Sequence, residues 1–175
     1  MGRHRYVKDY RLNEYIDERG HVTSETEYIG ADYFFRRGAG RARSSGKLVC
    51  ALSAAGWACF VALVCVEGTA MRTMYVALPF AFTALPLFLL TRAAAGALRA
   101  SEPLRHDEAD RLSHTLPGAA LWAMMLPAAS FLGCLLSSAL GAADWDALFL
   151  ALSAAMAACG AGCFFRRADF DTEKR

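Results

Sequence analysis

Charge is missing from four stretches of this 175-residue chain: residues 48–66, 73–91, 116–143 and 147–165 contain no Asp, Glu, Lys, Arg or His. Ionisable groups inside apolar helices mark ion paths, proton relays and substrate sites, so their absence removes those mechanisms from the four segments. Missing too are a Gly-rich phosphate loop with its Lys, a Gly-x-Ser-x-Gly elbow and a His-Glu-x-x-His helix, and with them the nucleotide, serine-hydrolase and zinc-protease chemistries those motifs serve. Ser53, Ser130, Ser137, Ser138 and Ser153 have no His or paired Asp beside them for intramembrane proteolysis. They are expected to bond back to helix carbonyls. No short apolar core stands near the start, where the first 47 residues are polar, so the segment at Leu48 is expected to be an uncleaved anchor. The ending Thr172-Glu173-Lys174-Arg175 carries no prenylation box.

What is present is apolar length. A helix rises about 1.5 Å per residue and the hydrocarbon layer is about 30 Å thick, so roughly 20 residues cross it. Each uncharged stretch meets that length and none shows the alternation of a barrel strand. The expected fold is an all-α membrane protein of four transmembrane helices, arranged as two helical hairpins, with a small N-terminal cytoplasmic β-hairpin. Residues 1–47 form the head, 48–165 the bundle with a cytoplasmic loop at 92–115, and 166–175 a cytoplasmic tail.

Charge sets the orientation. Of 19 Lys and Arg, ten precede the first span, Arg92, Arg99, Arg105 and Arg111 lie between the second and third, four follow the fourth, and Arg72 stands alone on the other side. Retention of basic residues in the cytoplasm places both termini inside. The outer connections, 67–72 and 141–146, are too short for a folded domain. Tyr75 and Trp145 are expected at the outer boundary and Trp122, Phe164 and Phe165 at the inner one, where amphipathic rings settle. The net charge of +2 offers no basic domain for nucleic acid.

Small residues recur every four positions at Ala51, Ala55 and Cys59, at Ala129, Gly133 and Ser137, and at Ala154, Ala158 and Gly162. Such rows allow close helix approach. Pro79 and Pro86 predict a kink in the second span, and Pro127 another in the third. Trp57 is expected to fill space at mid-span. The echo between residues 52–59 and 152–159 is read as a coincidence of Ala-rich composition.

In the head, residues 6–16 carry Tyr, Val, Leu and Ile among charges and residues 22–29 are rich in Val, Thr, Tyr and Ile, with Gly20 between them, which predicts a β-hairpin over about 6–30. A lone two-stranded hairpin is marginal in water, so it needs a partner: the loop before the third span, a second copy, another protein or the membrane surface. Tyr33, Phe34 and Phe35 are expected at the lipid headgroups, followed by a flexible basic linker from Gly38 to Gly46. Arg36, Arg37, Arg41, Arg43 and Lys47 are assigned to anionic lipid headgroups.

Two clusters could carry chemistry. Glu102, His106, Asp110 and His114 stand four apart, a spacing that suits zinc or acid–base work on one helix. Pro103 suits a helix start, however, so the preferred reading has His106 capping a helix whose first turn holds Asp107, Glu108 and Asp110. Ala109, Leu112 and Leu116 would then form an apolar stripe toward the membrane or the hairpin. Cys159 and Cys163 share a helical face but lack further ligands, and the six cysteines are read as apolar filler. Cys50 and Cys163 lie near enough to the inner boundary for acylation. No catalytic, cofactor-binding or metal-binding residue is assigned.

Small size and Ala/Arg-rich composition fit a bacterial, non-enzymatic accessory or scaffold protein, acting through helix packing and its head, as a homo-oligomer or within a larger membrane complex. The alternative is a homo-oligomeric transporter or channel module for a small solute or lipid. Exporters of the small multidrug resistance class are similar in length, but they rely on a first-span glutamate that this chain lacks.

Overall fold

Gly38 decides where the first long helix begins. Its φ of 84° lies in the left-handed region open to glycine, and it turns the chain out of a short strand into α1, Ala39–Cys65. In this computed structural model, residues 9–16, 22–65, 73–99, 102–141 and 146–174 are described. The connections at both far hairpin ends, with Glu67, Arg72, Asp144 and Trp145, lie outside the described residues, as does the hairpin turn around Gly20.

The molecule is mostly helical. After α1 come α2 (Met74–Phe82), α3 (Ala84–Arg99), α4 (His106–Asp110), a π turn (Arg111–Thr115), α5 (Leu116–Ala139), α6 (Ala147–Phe165) and a 3₁₀ turn at Arg167–Phe170. Four helical runs, Ala39–Cys65, Met74–Arg99, His106–Ala139 and Ala147–Phe165, are long and apolar enough to cross a membrane. Only 22 to 33% of their most apolar windows is buried within the protein, and Met74, Leu85, Leu132, Leu140 and Phe165 are all more than 60% exposed. Uncovered apolar surface on this scale is foreign to a water-soluble monomer.

The first helix starts nine residues before the expected Leu48, so the Gly38–Gly46 segment is not a flexible linker. Ala42, Ser45 and Gly46 are buried there, and packing overrides the weak helix propensity of Gly and Ser. The second run breaks at Thr83 between α2 and α3. Pro79 and Pro86 remove donors on either side of that break, and Thr83 Oγ1 donates to the Pro79 carbonyl at 3.0 Å. In the third run, helix continues through Pro127. The irregular turn lies instead at 111–115, where the Leu116 N–H reaches the Arg111 carbonyl. Pro117 has no N–H for the Ser113 carbonyl and its ring pushes on that carbonyl, which widens the preceding turn.

The expected small rows are used only in part: Gly133 lies against Val76 and Tyr75, Gly162 against Leu52, and Ser137 is buried, whereas the alanines of the rows face out. Ala51, Ala55, Ala129, Ala154 and Ala158 are exposed. The buried line of α1 runs through Val49, Ser53 and Gly56, and that of α6 through Ser153, Met156, Gly160 and Cys163. Gly160 makes the closest approach, since a Cβ there would stand 2.5 Å from the Met124 nitrogen and 2.6 Å from the Ala123 carbonyl carbon. The echoing segments bury matching positions, Ser53 with Ser153 and Gly56 with Met156, so the shared pattern marks a shared buried face. Trp57 does pack, edge to face with Phe60 at 5.7 Å. Its indole N–H also donates to Thr91 Oγ1 at 3.1 Å, and Ser53 Oγ lies 2.6 Å from the same oxygen. Ser137 and Ser153 bond back within their helices as expected, whereas Ser130 crosses to the Val76 carbonyl of α2.

At the terminal face, the end of the bundle carrying head and tail, β1 (Tyr10–Ile16) and β2 (Val22–Tyr28) form the expected antiparallel hairpin, with Tyr10 opposite Tyr28. A second antiparallel pair joins β3 (Tyr33–Phe35) to β4 (Thr172–Lys174), with Phe34 opposite Glu173. This pairing corrects the placing of Tyr33, Phe34 and Phe35 at the lipid headgroups: Phe35 is buried and Tyr33 pairs with Leu104. Ala109, Leu112 and Leu116 are buried as well; Leu112 and Leu116 join Leu104 and Phe170 at the end of the bundle core rather than facing a membrane.

Candidate functional site

The terminal face is held by one buried carboxylate. The 3₁₀ turn after α6 aims Asp169, 3% exposed, at the start of α1. Ser45 Oγ donates to its Oδ2 at 2.7 Å, Arg37 Nη1 to its Oδ1 at 3.0 Å, and Arg41 Nε lies 3.1 Å from Oδ1. Arg166 stands at 3.8 Å. The Ser45 hydrogen bond, reinforced by Arg37 and Arg41 and opposed by burial, lowers the Asp169 pKa below the usual carboxylate range. Arg37 and Arg41 are thus paired with Asp169 within the chain while their side chains stay about half exposed. Arg43 and Lys47 stay exposed.

A second polar cluster seats the hairpin. Tyr28 Oη donates to the Ala31 carbonyl at 2.9 Å and accepts the His106 backbone N–H at 3.0 Å. His106 Nδ1 lies 2.9 Å from Asp9 Oδ2, and Tyr10 Oη reaches Asp107 at 3.4 Å. Arg105 stands over the Tyr28 ring at 5.9 Å. Burial raises the Tyr28 hydroxyl above the usual phenol range, against the His106 N–H. The segment before the third long helix is thus the partner a lone hairpin requires.

Between these clusters lies a polar cleft of about 540 Å³. Its walls come from three distant parts of the chain: Tyr33 and Arg36 from the head, His106, Asp110, Ser113 and His114 from α4 and the π turn, and Asp171 and Glu173 from the tail. The Tyr33 ring stacks on His106 at 5.3 Å, and the Arg36 N–H donates to the Asp171 carbonyl at 2.9 Å. A wall with one guanidinium, two imidazoles, three hydroxyls (Tyr33, Ser113 and Thr172) and three carboxylates can bind a segment carrying both signs of charge.

The four-spaced ladder is not one cluster. Glu102 turns away to accept the Phe35 N–H at 3.1 Å, His106 turns to Asp9, and His114 stands 3.6 Å from Asp110. Arg105, not His106, caps α4, a shift of one residue from the expected start. Among the described residues no three His, Cys, Asp or Glu side chains converge on a point a metal ion could occupy. Cys163 is fully buried with its Sγ 4.0 Å from the Val49 carbonyl, so acylation there is sterically closed. Cys50 is partly exposed.

Sequence reasoning passed over Asp169, Asp171 and Glu173 because a short charged tail has no periodicity to announce a buried position. Thr91 was passed over as the last residue of an apolar run. Comparison with protein-family models, with curated proteins and with solved structures finds no match to this chain.

Proposed function

We propose that the chain is an integral membrane protein whose four long helices cross a bilayer with both termini in the cytoplasm, and that it serves as a non-enzymatic accessory or scaffold. The observation that carries the scaffold reading is the polar cleft, built jointly by head, loop and tail on the face to which the basic residues belong. A groove with opposed charges and a stacked Tyr33–His106 wall suits a charged peptide segment of a membrane partner. Hydroxyls of the bundle support the same reading: buried Ser53, Thr83, Ser130, Ser137 and Ser153 and half-buried Thr91 all bond to one another or to helix carbonyls, which leaves them committed to packing rather than to a solute path. Exposed Ala51, Ala55, Ala154 and Ala158 leave small-residue rows open for a second copy or a larger complex, and Arg43 and Lys47 remain available to anionic headgroups.

Gentle extraction followed by native mass measurement tests this. A distinct partner in fixed stoichiometry, lost in Arg36→Ala with His114→Ala, is the expected result. Selective solute flux by the protein alone in liposomes would instead establish the transporter reading.

A further inference from the structure

An apolar groove of about 460 Å³ runs between α3 and α5 on the outer surface of the bundle, floored by Pro86 and Gly118 and flanked by Phe82, Leu85 and Trp122. Leu89 lines its lower end and also the next recess, of about 210 Å³, whose walls include Arg92, Arg111 and Thr115. Oil and cation thus follow one another along a single track. We propose that this track holds an anionic glycerophospholipid, one acyl chain in the α3–α5 groove and the phosphate between Arg92 and Arg111. The site rests on the bilayer insertion proposed above.

Length fits this occupant. From Thr115 to Leu126, the last α5 residue of the groove, the helix rises about 16 Å, roughly half the hydrocarbon thickness and hence one leaflet. Charge fits as well. Among the described residues neither Arg92 nor Arg111 forms an ion pair. Glu108, which shares the neighbouring recess with Arg111, is turned to the Arg105 N–H at 3.3 Å. An unneutralised guanidinium pair at the polar end of a one-leaflet groove matches a phosphodiester joined to an acyl chain. The π turn matters because Arg111 opens it and Thr115 closes it, so the widened turn forms the wall beside the headgroup. Pro86 and Gly118 keep the floor low enough for a chain to lie in.

The test uses the full chain in mixed micelles containing phosphatidylglycerol and phosphatidylcholine, with retained lipid counted after purification. Wild type should retain phosphatidylglycerol preferentially, and Arg92→Gln with Arg111→Gln should lower that preference about thirtyfold, from the usual contribution of two cations near a phosphate. Gly118→Leu should also empty the groove without unfolding, because a Cβ at Gly118 meets nothing within 4 Å. Equal loss in Arg43→Gln with Lys47→Gln would overturn the site in favour of a diffuse basic surface. Displacement of the lipid by soluble glycerol phosphate would overturn the role of the groove. A change of oligomeric mass in Gly118→Leu with lipid retained would assign the groove to a second copy. Failure to float with vesicles would overturn insertion and this site together, whereas flotation without lipid preference would overturn this site alone.

Discussion

Asp169 is the residue on which the terminal face turns. Its carboxylate ties Ser45, Arg37 and Arg41 to the tail through both oxygens, and an amide there keeps one acceptor, loses the charge and points an NH2 donor at either the hydroxyl or the guanidinium groups. Asp169→Asn should cost about 2–3 kcal/mol, seen as a lower unfolding temperature in detergent. A carboxyl whose pKa falls on folding adds stability above its unfolded value of about 4 and gives it up as pH drops through the lower folded value. Wild type should therefore lose stability in that acid window, and Asp169→Asn should show a flatter profile there. Glycines separate by surroundings in the same way. Gly160→Ala pushes a methyl into the Ala123–Met124 backbone and should cost about 1–3 kcal/mol, while Gly118→Ala should be nearly neutral; thermal unfolding of the two variants decides it.

Among elements, β4 is the least legible and the most consequential. Three residues of tail, Thr172–Lys174, pair with Tyr33–Phe35 and bring Asp171 and Glu173 into the cleft wall. Three residues carry too little alternation to declare a strand, and the partner lies well over a hundred positions away. Phe34→Cys with Glu173→Cys should cross-link under mild oxidation, in a background with Cys50 and Cys65 replaced by Ser, whereas Leu12→Cys with Glu173→Cys should not; mobility on a non-reducing gel reads the outcome. Phe170→Ala, which empties a fully buried site, should cost about 3–5 kcal/mol and abolish that cross-link by loosening the turn before β4. The N-terminal hairpin was legible because Val, Ile, Thr and Tyr on either side of a central Gly advertise it. The early start of α1 was not, since Gly and Ser read as linker until Asp169 and the last turns of α3 bury them.

For the whole molecule, the distribution of basic residues predicts that reporters fused to either terminus respond as cytoplasmic and that a label at Glu67 is reached only from outside; the opposite pattern would invert the orientation. Four apolar runs were fully determined by the sequence, because the thickness of a hydrocarbon layer sets a length that one can count along the chain. The β-hairpin and the break near Pro79 and Pro86 were determined by local backbone chemistry in the same sense. Tertiary structure alone decided which face of each helix is buried, because Ala-rich helices offer small residues on every side and close fits such as Gly160 against Ala123 and Gly56 against Leu87 select among them. It alone decided the polar cleft and the Asp169 node, whose members are scattered from the head to the tail, and it placed Arg92 and Arg111 beside one apolar groove, since side chains distant in sequence meet only when antiparallel helices set their ends together.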